Sequence, residues 1–552
     1  MIRLLRPLAV GALMLTIFLA TSFAETLSVP HFFSDHMVLQ REVPSAVWGK
    51  AAPNMEVKVS FKGSSGKVTS DDQGNWRTAV VTGPAEAKGA ELTIISGEEK
   101  IVINDVLVGE VWLASGQSNM VWTVDRAEQY AEEIAKADFP EIRFFNAPTV
   151  TAVEPQDDIE GKWTLANTKT VGGYSAVAYF FAKKLHGELN IPVGVIKTAW
   201  GGKPVETFTS REALTTLPGT KKLVDAVLLA DADFDPEKAQ SFYEKRLASW
   251  KTSSADWKEK PEEQRGRAPR KPVSPKRPLD TEGKPGVLFN SMIHPFVGYT
   301  IRGAIWYQGE GNAKEGAVPY DKTLPLMIND WRTRWDDEFS FYYVQLANFR
   351  KPTTEPGDDD PWPLLQDRMR LVLDITPKTG MAIINDLGEA DDIHPWNKHD
   401  VGDRLALWAL AKDYGKDLVA HSGPLYRSVK FRDKEARVFF DQVGSGLGVR
   451  GGGELKRFEI AGEDKVWHWA DARIEGGDSV VVSSKSVEAP VAVRYAWASN
   501  PEGANLINSE GLPASVFRTD KWDDAISKDA VKAAAEVRKE LSAGIKALAD
   551  KG

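Results

Sequence analysis

Residues 106–120 read Val106-Leu107-Val108-Gly109-Glu110-Val111-Trp112-Leu113-Ala114-Ser115-Gly116-Gln117-Ser118-Asn119-Met120. The first nine form an apolar run broken only by Gly109 and Glu110. A half-solvated strand would alternate apolar and polar residues, so a near-continuous run predicts a strand covered on both faces, as in a parallel sheet. The small and polar residues after Ala114 predict a tight turn at its carboxyl end. Similar runs recur at 142–145, 193–198, 301–307, 339–346 and 381–385, with helical patterns at 173–189, 320–335 and 397–414. Strands alternating with helices predict an α/β domain with a mainly parallel sheet.

The pattern differs on either side. Upstream, short alternating stretches such as Val57-Lys58-Val59-Ser60-Phe61 are separated by turn residues such as Asp72-Gln73-Gly74. They predict a small β-sandwich over residues 25–105, with a structural role. Residues 106–422 form the predicted α/β domain. It is interrupted at about 210–285 by a charged, helix-prone insertion, in which Asp235-Pro236 suits an N-cap and first helical position. Strands return over 423–523, and 524–552 carry a helical apolar stripe that would dock on the body or serve an oligomer contact.

The chain has 552 residues, enough for two to four domains. At the N-terminus, Arg3 and Arg6 precede an apolar stretch and then Ser22-Phe23-Ala24. That is the grammar of a secretory leader cleaved after Ala24, and it predicts an exported protein, periplasmic or extracellular. No later segment is apolar enough to predict a membrane span. There are no cysteines, which excludes thiol catalysis and Cys-ligated metal or iron–sulfur chemistry. The net charge of −9 becomes more negative by two when the leader leaves with its arginines, a poor match to nucleic acid or an anionic membrane.

Acyl transfer by serine needs an exposed nucleophile, a base, and donors facing the oxyanion. Ser118 follows the first buried run directly, which places it at the carboxyl edge of the sheet, where open α/β sheets bind ligands. Taken alone it would read as a helix cap. Among eight histidines, His394 follows the 381–385 run by a short loop and reaches the same edge. A carboxylate three residues before it, Asp391, is placed to hold Nδ1 and leave Nε2 for the serine. Donors are available after two other strands. Gly201 or Gly202 in Trp200-Gly201-Gly202 offers a backbone N–H. Gln308 or Asn312 in Trp306-Tyr307-Gln308-Gly309-Glu310-Gly311-Asn312 offers a side-chain amide. Glu310 reads as a structural acceptor.

Together, the segments 109–120, 198–202, 306–312 and 391–398 resemble the blocks of the SGNH hydrolase superfamily. Within it they resemble the sialate O-acetylesterase group of carbohydrate acetylesterases, and the similarity spans most of the chain. It implies a three-layer α/β/α flavodoxin-like catalytic domain with flanking β-sandwich regions, acting as a serine esterase without metal or cofactor. Its substrate would be an O-acetylated sugar, sialic acid first, with acetylxylan or another polysaccharide as the alternative. A non-catalytic secreted carbohydrate-binding protein is the alternative of another class. The resemblance implies that Ser118 is nucleophile and first oxyanion donor, that a glycine of the second block and an amide of the third complete the hole, and that His394 is the base. The superfamily spacing selects Asp391 as the acid. The Asp-Ile-His-Pro form of the family points to Asp392 instead. The usual Gly-x-Asn-Asp block is replaced here by Gln-Gly-Glu-Gly-Asn, so Gln308 and Asn312 compete for one role.

Overall fold

The structure is a computed structural model that describes residues 27–522 apart from 315, 316 and 359. The stretches expected to form a secretory leader and a C-terminal helix lie outside the described residues.

The body is a mixed α/β assembly around one central sheet. Its core strands run in the order Thr379–Ala382, Ser340–Val344, Gly303–Tyr307, Glu99–Gly116, Val193–Ala199, Asp138–Asn146 and Trp163–Asn167. All neighbours are parallel except the last pair. Parallel strands need crossovers, and here these put helices on both faces. On one face Trp112, Tyr342, Trp408 and Phe181 stack, joining the sheet to helices Ala176–Leu189 and His399–Lys412. On the other, Trp306 and Phe341 meet Trp331 of helix Tyr320–Trp335. The adjacent residues Phe341 and Tyr342 thus serve opposite layers, as the two-residue period of a strand requires.

The first buried run proves to be the upper part of a longer strand. Glu99–Gly116 is continuous. Its lower part pairs antiparallel with Glu86–Ser96, and Val38–Gln40 joins it in parallel at Leu107–Gly109. The upstream β region is therefore hydrogen-bonded into the central sheet, and the predicted boundary after Asp105 falls inside a strand. Asp105 marks the change of pattern for a local reason: its φ is 53°, a left-handed kink. Arg143, on strand Asp138–Asn146 of the same sheet, seizes the kink with bonds to the Asp105 carboxylate at 2.9 Å and to the His36 carbonyl at 3.0 Å.

Among the elements absent from the sequence reading, two complete the central domain. Trp163–Asn167 closes one edge of the sheet in antiparallel fashion. Helix Pro361–Ile375 is capped by the Asp360 carboxylate on the Trp362 N–H and buries Trp362, Leu365, Met369 and Val372. The insertion contains helices Pro218–Ala232 and Pro236–Glu259; Asp235 caps the second as expected, accepting from the Lys238 N–H at 3.0 Å.

The C-terminal β region has two four-stranded sheets and a core of its own that includes Val438, Ile460, Val480, Val493 and Phe517. Buried polar contacts fasten it to the central sheet: Gln345 Nε2 donates to Ser515 Oγ at 2.8 Å and Asn385 Nδ2 to the Ala514 carbonyl at 2.9 Å. Among the described residues no helix is long and apolar enough to cross a membrane.

Candidate active site

The site forms where the strand Glu99–Gly116 runs out. Gly116 has φ 139°, and a Cβ there would lie 2.2 Å from the Tyr307 carbonyl oxygen, so the turn requires glycine. The chain stays tied to the neighbouring strand by Gln117 N–H donating to Tyr307 O at 2.9 Å. It then enters a single helical turn, Ser118–Val121. Ser118 is thereby presented at the carboxyl edge of the sheet on a short, well-anchored turn.

The segment 383–398, which contains His394, has no helix. Its ring reaches Ser118 directly, with Nε2 2.9 Å from the serine Oγ. Its other nitrogen, Nδ1, lies 3.0 Å from Asp392 Oδ1. The carboxylate on the ring is therefore that of Asp392, and Asp391, the residue expected from spacing, does not hold this position. The reason is local. A partner at −3 suits a helical turn, whereas in this loop the Asp392 carboxylate folds forward to accept the His394 backbone N–H at 2.9 Å, and the same oxygen then meets the ring. Burial pushes the Asp392 carboxyl up, but the hydrogen bonds from the His394 backbone and ring outweigh it and hold the group below its ordinary range. On its flat side the imidazole stacks on Trp122, with centroids 5.0 Å apart and planes 22° apart. Arg126 covers the Trp122 ring at 3.8 Å.

The expected oxyanion donors divide into two groups. Gly201 packs against Ser118, since a Cβ on it would sit 3.4 Å from the serine Cβ. Gly202 comes next, with φ 70° and open space around it. The amides of Gln308 and Asn312 are engaged elsewhere. Gln308 is fully buried, and its Nε2 faces Asn312 Oδ1 at 2.8 Å and both Gln117 Oε1 and Lys203 O at 3.2 Å. Its Oε1 accepts from the Tyr320 hydroxyl at 2.7 Å. Asn312 Nδ2 donates to the Glu206 carboxylate at 3.0 Å, and its Oδ1 also accepts from the Val205 N–H. These two amides brace the loop after Tyr307 against the turn that carries Ser118 and against the loop after Ala199.

Three participants escaped sequence reading. Asn119, beside Ser118, is 1% exposed and binds Glu310, the Ile393 carbonyl and Lys398. Lys398 is completely buried. Trp122 is the platform for His394. Only the proximity of Asn119 and Trp122 to Ser118 marked them, and nothing in the sequence marks Lys398 as buried. Two histidines near these segments in sequence are placed elsewhere: His294 Nδ1 meets the Gln156 carbonyl, and His399 packs edge-on to Phe180.

A serine hydroxyl on an imidazole whose far nitrogen is held by a carboxylate is an arrangement suited to acyl transfer. Comparison with known proteins agrees. No family model matches the chain. The sialate O-acetylesterase of Mus musculus is 28% identical over 531 residues, covering 88% of this chain and 93% of the mouse protein. The Homo sapiens sialate O-acetylesterase is 28% identical over 437 residues, covering 72% of this chain and 73% of the human one. Among solved structures, a carbohydrate acetylesterase from Xanthomonas citri is 35% identical, with a TM-score of 0.74, and the match covers 90% of this chain and 100% of that one. This chain therefore belongs to the sialate O-acetylesterase family of carbohydrate acetylesterases and is a carboxylic ester hydrolase.

Proposed function

We propose that the protein removes O-acetyl groups from carbohydrate, with Ser118 as nucleophile, His394 as base and Asp392 as the orienting carboxylate. The observation that carries the assignment is the 2.9 Å approach of His394 Nε2 to Ser118 Oγ while Nδ1 rests on Asp392. His394 takes the serine proton as Oγ attacks the acetyl carbonyl. The Ser118 N–H and an N–H of the Gly201-Gly202 turn, which lies against Ser118, receive the oxyanion. The sugar hydroxyl leaves with the proton from His394. Water, activated by the same imidazole, then frees acetate and restores the serine. Asp392 keeps the imidazole in the tautomer that leaves Nε2 as acceptor and stabilises the cation that forms.

The catalytic domain fits the three-layer, flavodoxin-like SGNH architecture, supported by the helices on both faces of a mainly parallel sheet. The relatives named sialate O-acetylesterase favour O-acetylated sialic acid as the sugar. Export to the periplasm or beyond, read from the leader-like N-terminus, is part of the proposal. Acetate release from O-acetylated sialic acid, acetylxylan and an aryl acetate tests it. Sialic acid esters are expected to be preferred over acetylxylan. Ser118→Ala is expected to abolish release from all three, a loss of at least about 10⁴-fold, with an unchanged melting temperature. Full activity in that variant overturns the nucleophile; preference for acetylxylan overturns the sugar.

A further inference from the structure

Behind the reacting pair lies a buried polar group that the acyl-transfer steps do not use. The Asn119 side chain stands at its centre. Its Nδ2 donates to Glu310 Oε1 at 2.6 Å and to the Ile393 carbonyl at 3.1 Å, and its Oδ1 accepts from Lys398 Nζ at 2.6 Å. One amide therefore joins three separate loops: the turn that carries Ser118, the loop after strand Gly303–Tyr307, and the segment that carries His394. Ile393 immediately precedes the histidine, and Lys398 follows it by four residues.

The group is costly to bury. Lys398 is fully buried, with its ammonium 5.5 Å from the Trp122 ring and 5.6 Å from the Tyr307 ring. Glu310 is only half-buried as a residue, yet its Oε2 is sealed from solvent and has no hydrogen-bond partner among the described residues. Burying a lysine and a carboxylate oxygen in this way is unfavourable unless the arrangement serves the site. Apolar side chains would fill the same space without that penalty, but they could not link three loops through directed bonds.

We infer that Asn119, Glu310 and Lys398 form a positioning clamp that sets the reach from His394 to Ser118, with Lys398 tuning the imidazole through the shared Trp122 platform. This rests on the esterase reading of the same site, but the two can fail separately. Trp122 has His394 against it and the Lys398 ammonium near its ring, so a change at Lys398 reaches the base without touching substrate. The charged groups around Lys398 are Glu310, Asp392, Glu389 and Arg126. Burial drives the Lys398 ammonium down to about 7, Glu310 and the other two acids opposing it, and burial pushes the Glu310 carboxyl up. Below neutral pH the clamp therefore holds a cation beside the Trp122 ring on which His394 stacks.

The test uses the full-length enzyme and an aryl acetate, which needs no sugar recognition. Lys398→Met is expected to lower kcat by 10- to 100-fold with KM within threefold. It is also expected to move the acid limb of the kcat/KM profile upward by about half a pH unit, because a cation has left. Glu310→Gln keeps an oxygen for the Asn119 amide and is expected to stay within threefold of wild type. Glu310→Leu removes that oxygen and is expected to lose at least tenfold in kcat. If Lys398→Met fails to fold, the Glu310 pair decides alone. An unmoved acid limb with unchanged kcat in Lys398→Met, or equal rates for Glu310→Gln and Glu310→Leu, overturns the clamp. Inactivity of the wild-type enzyme on every acetate ester would instead overturn the esterase reading.

Discussion

The two parts of the strand Glu99–Gly116 are one piece of backbone with opposite character. From Val106 to Gly116 every residue is buried, the two central neighbours from Glu110 onward are parallel strands, and the turn beyond carries Ser118. From Glu99 to Asp105 burial is patchy, pairing is antiparallel, and one face meets solvent. Chain continuity thus does not decide role; what covers each face does. The upper part is enclosed, its Trp112 packing on Phe181 of a covering helix and Tyr342 of the sheet, and it can hold Ser118 still. The lower part seats the upstream β region. The kink at Asp105, gripped by Arg143, is where one regime passes into the other.

Substitutions along this gradient sharpen or break the contrast. The largest effect is expected at the catalytic end. Asp392→Asn should lower kcat by about 10²- to 10⁴-fold, since the amide no longer enforces the productive tautomer, whereas Asp391→Asn should stay within twofold. Steady-state kinetics on an aryl acetate decides, and equal losses would show that the ring contact in the structure is not the working one. Next comes Glu110 in the fully buried part, where one carboxylate binds Arg41, Gln40 Nε2 at 3.0 Å and Arg302 Nε at 2.8 Å. Glu110→Ala leaves two arginines facing an empty site and should cost about 3–5 kcal/mol in urea unfolding. A loss below about 1 kcal/mol would erase the claimed difference between the two parts.

The kink should respond more weakly and with pH. Burial pushes the Asp105 carboxyl up, but His36 and Arg143 pull it below its ordinary value. Its contribution is then present above the ordinary aspartate range and is lost as pH falls through the lowered value. Asp105→Asn, which tolerates the left-handed backbone, should cost about 1 kcal/mol at pH 7 after solvent screening, and the gap to wild type should close near about pH 3. A gap that persists in acid would assign the effect to backbone geometry instead. Smallest of all, Lys100→Ala in the exposed part should stay within about 0.5 kcal/mol.

This gradient also explains what was legible in the sequence. Unbroken apolar runs announced the parallel strands, because burial on both faces leaves little room for polar residues. Ser118 stood out in the turn directly after such a run, and His394 in the loop that follows another. The boundary at Asp105 was misplaced because a change of covering looks, in sequence, like a change of element. Asp392 was displaced by Asp391 since spacing alone cannot show a carboxylate folding forward onto its own loop. Gln308 and Asn312 were read as donors to substrate when their hydrogens serve neighbouring loops; an amide's partners depend on contacts over a hundred residues away, such as Asn312 with Glu206. Lys398 was invisible because a lysine in sequence reads as solvated until a fold encloses it.

The helix Pro236–Glu259 has no buried residue along its 24 positions. At about 1.5 Å per residue it reaches roughly 36 Å, about the width of a small domain. A helix that the core does not need is a natural handle. A dye or spin label at Phe242, which is exposed, would ride on a stiff arm and report the tumbling of the enzyme on a glycan-coated surface, with the reacting centre left untouched.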